Sequence, residues 1–165
     1  MSLISARGLR KSYGDSAALN GFDLTVEPGR IVGLIGPNGS GKTTALKSIL
    51  GLLHLDGGEI DVLGLDPFQQ RKELMRRTAY IADVGILPRW MRVSHLLDFI
   101  QGVHASFDRP VAEATLEKTD INLHKKIHVL SNGMNVELHL AIALAIDAEI
   151  LVLDVPTLGL DIIYR

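Results

Sequence analysis

The chain has 165 residues, 47% hydrophobic and 22% charged, with a formal net charge of −2 and no cysteine. That length suits one domain with a real core, and the near-neutral charge lacks the clustered positive surplus that nucleic acid requires. The missing thiols exclude a disulfide framework and a thiolate metal site, and the longest apolar run, residues 140–146, is far too short to span a bilayer. Residues 1–7 lack the apolar core of a signal peptide, so any membrane role is expected to come through a partner.

Along the first third, Phe22, Leu24 and Val26 alternate as on one face of a strand. Glu27-Pro28-Gly29-Arg30 then turns the chain into the apolar run Ile31-Val32-Gly33-Leu34-Ile35, which reads as a strand. It leads into Gly36-Pro37-Asn38-Gly39-Ser40-Gly41-Lys42-Thr43 and a helix over residues 44–50. Strand, glycine-rich turn and helix form the context of a phosphate-binding P-loop. The glycines let successive N–H groups point inward at an anion, and the helix start adds its dipole and unpaired donors. Gly36, Asn38, Gly39, Ser40, Gly41, Lys42, Thr43 and Thr44 are therefore the candidate phosphate-binding residues. Lys42 is expected to reach the β- and γ-phosphates of a nucleotide, and the Thr43 hydroxyl to help hold Mg²⁺.

Asp56-Gly57-Gly58 reads as a turn, residues 59–63 as a strand, 67–77 as a helix with Pro67 in its first turn, and 78–82 as a short strand. Arg71, Lys72, Arg76 and Arg77 fall at helical spacing with Glu73 among them, the pattern of a solvated face. From Asp83 to Lys126 strand signals vanish; helical periodicity over 93–107 and 111–119 predicts a helical insertion in an α/β domain. Ser131 is placed to cap a helix over 132–146, and Ile150-Leu151-Val152-Leu153 forms a buried strand that ends in Asp154. That carboxylate is placed to act through Mg²⁺, the form of a Walker B strand. His124 and His128 share an i, i+4 spacing, but no His-Glu-x-x-His pattern supports a metal there.

In this order and spacing, the P-loop, Leu130-Ser131-Asn132-Gly133-Met134, the strand ending in Asp154 and Leu158-Gly159-Leu160-Asp161 resemble the P-loop, signature, Walker B and D-loop motifs of ATP-binding cassette (ABC) ATPases. The stretch Leu87-Pro88-Arg89-Trp90-Met91 and the Gly-Met ending of the signature look most like single-domain subunits that energise ABC-2-type exporters. The resemblance runs from about Leu3 to Arg165. It implies an α/β P-loop NTPase fold, a RecA-like core with an antiparallel β subdomain (residues 1–82 and 129–165) and a helical insertion (83–128). It implies that ATP and Mg²⁺ bind, with Tyr13 stacking on adenine, Lys42 and Asp154 serving catalysis, Thr43 and Asp154 holding Mg²⁺, and Ser131 and Gly133 serving a neighbour's ATP. The implied partners are a second cassette, as homo- or heterodimer, and an integral membrane permease docking near residues 84–91. The chain would then lie in the cytoplasm against the inner face of the membrane.

The sequence departs from the family pattern in four places. Val155 stands where a general-base Glu is usual, which should remove a term of about 10²–10⁴ in rate. Asp83 stands at the Q-loop glutamine and is a further candidate for Mg²⁺. The signature ends in Met134 rather than Gln, and Asn135-Val136-Glu137 replaces a basic run. The sequence runs to Arg165, short of the family's switch histidine and later strands, so a truncated cassette is expected, or one completed by another chain. Two central strand edges are then left unpaired, an aggregation hazard. The alternative to an active transporter subunit is a hydrolysis-deficient ATP-binding regulatory module or a non-functional cassette fragment.

Overall fold

The computed structural model describes residues 2–82 and 87–154. The chain divides into two compact units, Met1–Met75 and Arg76–Arg165.

The first unit is built on a three-stranded antiparallel sheet of β1 (Ile4–Tyr13), β2 (Ser16–Val26) and β3 (Gly57–Val62), with β1 in the centre. Gly14 and Asp15 join β1 to β2; the positive φ of 57° at Gly14, the first central position, suits a type II′ hairpin. Ala6, Leu9 and Leu19 from the sheet meet Ala45 of helix α1 (Lys42–Ile49) in a small core, against which Phe22, Leu24, Leu34, Leu55 and Ile60 pack. Helix α1 ends in a Schellman motif: Gly51 at φ 64° sends its N–H to Ser48 O at 3.0 Å, and Leu52 N–H reaches Lys47 O at 2.9 Å.

Two expectations are corrected in this unit. The run Ile31-Val32-Gly33-Leu34-Ile35 forms no strand. Its backbone finds no partner strand among the described residues, Ile31 and Ile35 are fully exposed, and only Leu34 packs on the core. A strand is a property of a pair, and a run of apolar residues supplies only one member. The helix over 67–77 shrinks to α2 (Arg71–Leu74). The Asp66 carboxylate accepts the N–H groups of Phe68 and Gln69, both at 2.9 Å, and this local turn consumes the residues that would have begun the helix.

The second unit pairs β4 (Thr78–Ile81) with β5 (Ile150–Leu153) in parallel, Thr78 opposite Ile150 and Tyr80 opposite Val152. Between them in sequence lie α3 (Val93–Val103), α4 (Arg109–Leu116), a short 3₁₀ turn (Ile127–Val129) and α5 (Asn132–Leu144). Val93, Leu96, Leu97 and Ile100 recur at i, i+3, i+4 and i+7 and turn one face of α3 into the core. There they meet Phe107, Ala112, Leu116, Ile121, Ile127, Leu130, Leu138 and Ala141. The Asp108 carboxylate caps α4 by accepting Val111 N–H at 3.3 Å, with Pro110 in the first turn.

Arg77 and Glu149 staple the entry to the parallel pair. Glu149 N–H donates to Arg77 O at 2.9 Å, and the guanidinium grips the Glu149 carboxylate through two nitrogens, at 2.5 and 3.0 Å. That hydrogen bonding holds the Glu149 pKa below its ordinary value of 4.5. A carboxylate with a depressed folded-state pKa stabilises the fold at and above the ordinary value, and loses that contribution as pH falls through the folded one. Stability curves of wild type and Glu149→Gln are therefore expected to separate slightly at neutral pH and to converge as pH falls below 4.5. Denaturant unfolding across that range measures it; a gap that widens in acid would contradict the assignment.

Candidate nucleotide-binding site

The first unit assembles the P-loop. Gly39 and Gly41 take positive φ, 82° and 89°, which lets the loop curl before helix α1 starts. Gly41 serves as N-cap with no side chain capping the helix, and its O accepts Ala45 N–H at 2.8 Å. No acidic residue stands in the first turn to compete with an incoming anion. Gly41 is also pressed against β2: a Cβ there would lie 2.2 Å from Ala18 O.

Lys42 folds back over this loop. Its ammonium donates to Gly36 O and Pro37 O, each at 2.8 Å, with Ser40 Oγ at 3.5 Å. A cation thus sits at the loop mouth, held by carbonyls that phosphate oxygens can replace. Ser40 N–H closes the turn onto Pro37 O at 3.2 Å, and Asn38 lies exposed in the same turn. Thr43 and Thr44 occupy the first turn of α1, where Thr44 O accepts the Ser48 hydroxyl at 2.8 Å.

Tyr13 sits at the hairpin tip, paired with Ser16 and 54% exposed. The Lys11 ammonium lies 5.9 Å from its ring centroid.

In the second unit, Ser131 caps α5 as expected, its Oγ accepting Met134 N–H at 3.2 Å. Gly133 lies in that first turn. Asn135 replaces the usual basic run with a local clasp, its amide donating to Leu130 O at 3.3 Å and Ser131 O at 3.0 Å. Asp154 follows the last residue of β5, and its N–H extends the parallel ladder to Ile81 O at 2.9 Å. The register turns Tyr80, opposite Val152, to the same face as Asp154, and the phenol donates to Asp154 Oδ2 at 3.4 Å. Burial first, then the nearby carboxylate, raises the Tyr80 pKa, so the phenol stays protonated and a donor.

The P-loop and Tyr13 thus fall together in the first unit, and Ser131, Gly133 and Asp154 in the second. Asp83, Val155 and Leu158-Gly159-Leu160-Asp161 lie outside the described residues. The donors assigned to a metal, the Thr43 hydroxyl and the Asp154 carboxylate, are hard oxygens without thiolate or imidazole. That chemistry fits Mg²⁺, which takes one or two protein oxygens alongside phosphate and water. The His124/His128 pair is not helical: His124 stands in a turn and His128 in the 3₁₀ segment, its Nδ1 3.2 Å from Arg89 O. Among the described residues no group of three or more His, Asp or Glu side chains is placed to hold a metal.

Sequence reasoning passed over Asp56, read there as a turn residue, and Tyr80. Both act across long sequence separations, 44 residues from Asp56 to Ser12 and 74 from Tyr80 to Asp154. Only the strand order reveals such contacts.

Comparison with known proteins agrees with this geometry. The ABC transporter family model matches residues 19–158. Among curated relatives, the Nod factor export ATP-binding protein I of Burkholderia orbicola is 38% identical over 96% of this chain and 54% of its own length. The daunorubicin resistance ATP-binding protein DrrA2 of Streptomyces coeruleorubidus is 36% identical over 96% and 51%. The chain therefore spans about half the length of the curated relatives it matches. Among solved structures, an ABC transporter ATP-binding protein from Pyrococcus furiosus superposes with a TM-score of 0.80 at 31% identity, over 96% of this chain and 78% of that one. An ATP-binding subunit of an ABC transporter gives 0.83 at 24% identity, over 96% and 68%, a likeness of fold. With P-loop, signature and Walker B strand in place and a family model matched from residue 19 to 158, the chain belongs to the ABC transporter family, among its ATP-binding cassettes.

Proposed function

We propose that the chain binds MgATP and, with a second cassette, couples its binding and hydrolysis to export through a membrane permease. The observation that carries the reading is the Lys42 ammonium held over Gly36 O and Pro37 O at the uncapped start of α1. When ATP enters, phosphate oxygens replace those carbonyls as acceptors, and the amides of the first helical turn supply further donors. Tyr13 stacks on the adenine. Thr43 of the first unit and Asp154 of the second would each offer an oxygen to Mg²⁺, which would supply charge neutralisation for the phosphates. Ser131 and Gly133, at the start of α5, present backbone donors to the ATP of a partner cassette.

The relatives named for Nod factor export and daunorubicin resistance support export as the direction in this reading. Trp90, 73% exposed beside the core-packed Met91, lies in the described part, residues 87–91, of the proposed permease-docking stretch 84–91. No helix among the described residues is long and apolar enough to cross a membrane. In this reading a permease supplies the membrane path, and the chain docks on it from the cytoplasmic side.

Equilibrium titration with a fluorescent ATP analogue tests the binding step. Lys42→Ala removes charge-assisted hydrogen bonds to phosphate and is expected to weaken affinity by about 10- to 100-fold. Unchanged affinity in Lys42→Ala would remove the P-loop reading. A second reading, a module that closes on ATP without turnover, is favoured by Val155 at the base position and is separated from the first by turnover measurements on that residue.

A further inference from the structure

We propose that Asp56 is a positioning residue for adenine recognition, clamping the tip of the β1–β2 hairpin so that Tyr13 is held in register with the P-loop. The inference rests on the nucleotide-binding reading and deepens it.

The pairing of β1 with β3 ends at Arg10 opposite Gly57, where Asp56 N–H donates to Arg10 O at 2.9 Å. Beyond that point Lys11, Ser12 and Tyr13 have only β2 beside them, and a two-stranded tip is marginally stable. The Asp56 side chain continues the missing ladder. Its Oδ2 accepts Ser12 N–H at 2.7 Å, the donor that a longer β3 would have satisfied, and its Oδ1 accepts the Lys11 ammonium at 2.8 Å. The Lys11 hydrogen bond, then the Ser12 amide, lowers the Asp56 pKa, so the clamp is ionised at neutral pH. The tethered ammonium in turn lies over the Tyr13 ring, 5.9 Å from its centroid, which ties the ring to the same clamp.

On the other side, the tip is locked to the phosphate site. The β1–β2 register slips between Lys11 opposite Leu19 and Ser12 opposite Ala17, leaving Ala18 as the extra residue of a bulge. Ala18 O is the atom that fills the space of the absent Gly41 Cβ. The hairpin tip is thus wedged between the P-loop glycine and the Asp56 carboxylate. Releasing the Asp56 side frees the Tyr13 ring while the loop that grips phosphate stays intact.

The test compares ATP with inorganic tripolyphosphate, which has the phosphates and no base, as ligands of wild type, Asp56→Ala, Asp56→Asn, Tyr13→Ala and the Asp56→Ala/Tyr13→Ala double variant. Asp56→Ala is expected to weaken ATP about tenfold while tripolyphosphate affinity stays within about twofold. Asp56→Asn, which keeps an acceptor for Ser12 N–H but loses the ion pair, is expected to fall between. In the double variant, loss of Asp56 should add nothing to loss of Tyr13. Equal losses for ATP and tripolyphosphate would make Asp56 a general staple of the fold and overturn the proposal, as would full additivity or an unchanged ATP affinity. Should Asp56→Ala fail to fold, Asp56→Asn carries the same comparison. If wild type bound neither ligand, the nucleotide reading itself would fail, a result distinct from all of these.

Discussion

Exchange of Val155 for glutamate is expected to raise ATP turnover by about 10²–10⁴-fold, with ATP affinity changed by less than about threefold. Val155 directly follows Asp154, whose N–H is tied to Ile81 O at 2.9 Å at the end of the parallel pair. In the family pattern this position carries a carboxylate that orients the attacking water and takes its proton. An isopropyl group can do neither. Glutamine at the same position can accept a hydrogen bond from water but cannot take its proton, so Val155→Gln should recover little of the rate. Phosphate release at protein concentrations high enough for two cassettes to pair measures both variants. Flat turnover in Val155→Glu, with nucleotide binding intact, would show that this residue does not limit hydrolysis.

Gly51→Ala is expected to destabilise the first unit by about 3 kcal/mol or more, an effect as large as those of core cavities. Two costs combine. Gly51 holds φ 64° at the Schellman turn that ends α1, and a left-handed conformation costs an alanine about 1–2 kcal/mol. The added Cβ would also lie 1.8 Å from Pro67 O and 2.5 Å from Pro67 C, backbone atoms that no rotamer change can move aside. Relief requires shifting either the end of α1 or the Pro67 turn, and α1 carries Lys42 and Thr43 at its other end. ATP affinity should therefore fall along with stability. Urea unfolding reads the effect, and a loss below about 1 kcal/mol would mean that the turn yields freely.

The local signals of this chain were legible in its sequence. Ser131 caps α5, because a cap depends on near neighbours. The apolar run 150–153 forms β5 because β4 lies beside it, but the expected buried strand is buried on one face only: Ile150 and Val152 are covered, while Leu151 and Leu153 are exposed. Periodicity likewise placed α3 and α4, with α3 ending short of residue 107 and α4 running from Arg109 to Leu116 rather than over 111–119. Non-local effects were not legible. The apolar run 31–35 has the composition of a strand, yet pairing is decided by other segments, and the described residues offer it none. Asp56-Gly57-Gly58 has the composition of a turn, and it took the end of the β1–β3 ladder to show the Asp56 carboxylate finishing the strand edge. At the site, sequence marked Lys42 as the expected phosphate-binding cation but not its resting place on the loop carbonyls. Tyr80 was read as one residue of a short strand, and only the parallel register turns its phenol toward Asp154.

The most direct test of the account is thermal unfolding of the chain with and without excess MgATP, in wild type and Lys42→Ala. A ligand at 100 times its dissociation constant stabilises the folded state by about 2.7 kcal/mol, which for a chain of this size raises the midpoint by roughly 5–10 °C. The account predicts one cooperative transition that rises with MgATP in wild type and stays put in Lys42→Ala. A midpoint indifferent to MgATP in the folded wild-type chain, or an equal rise in Lys42→Ala, would contradict it.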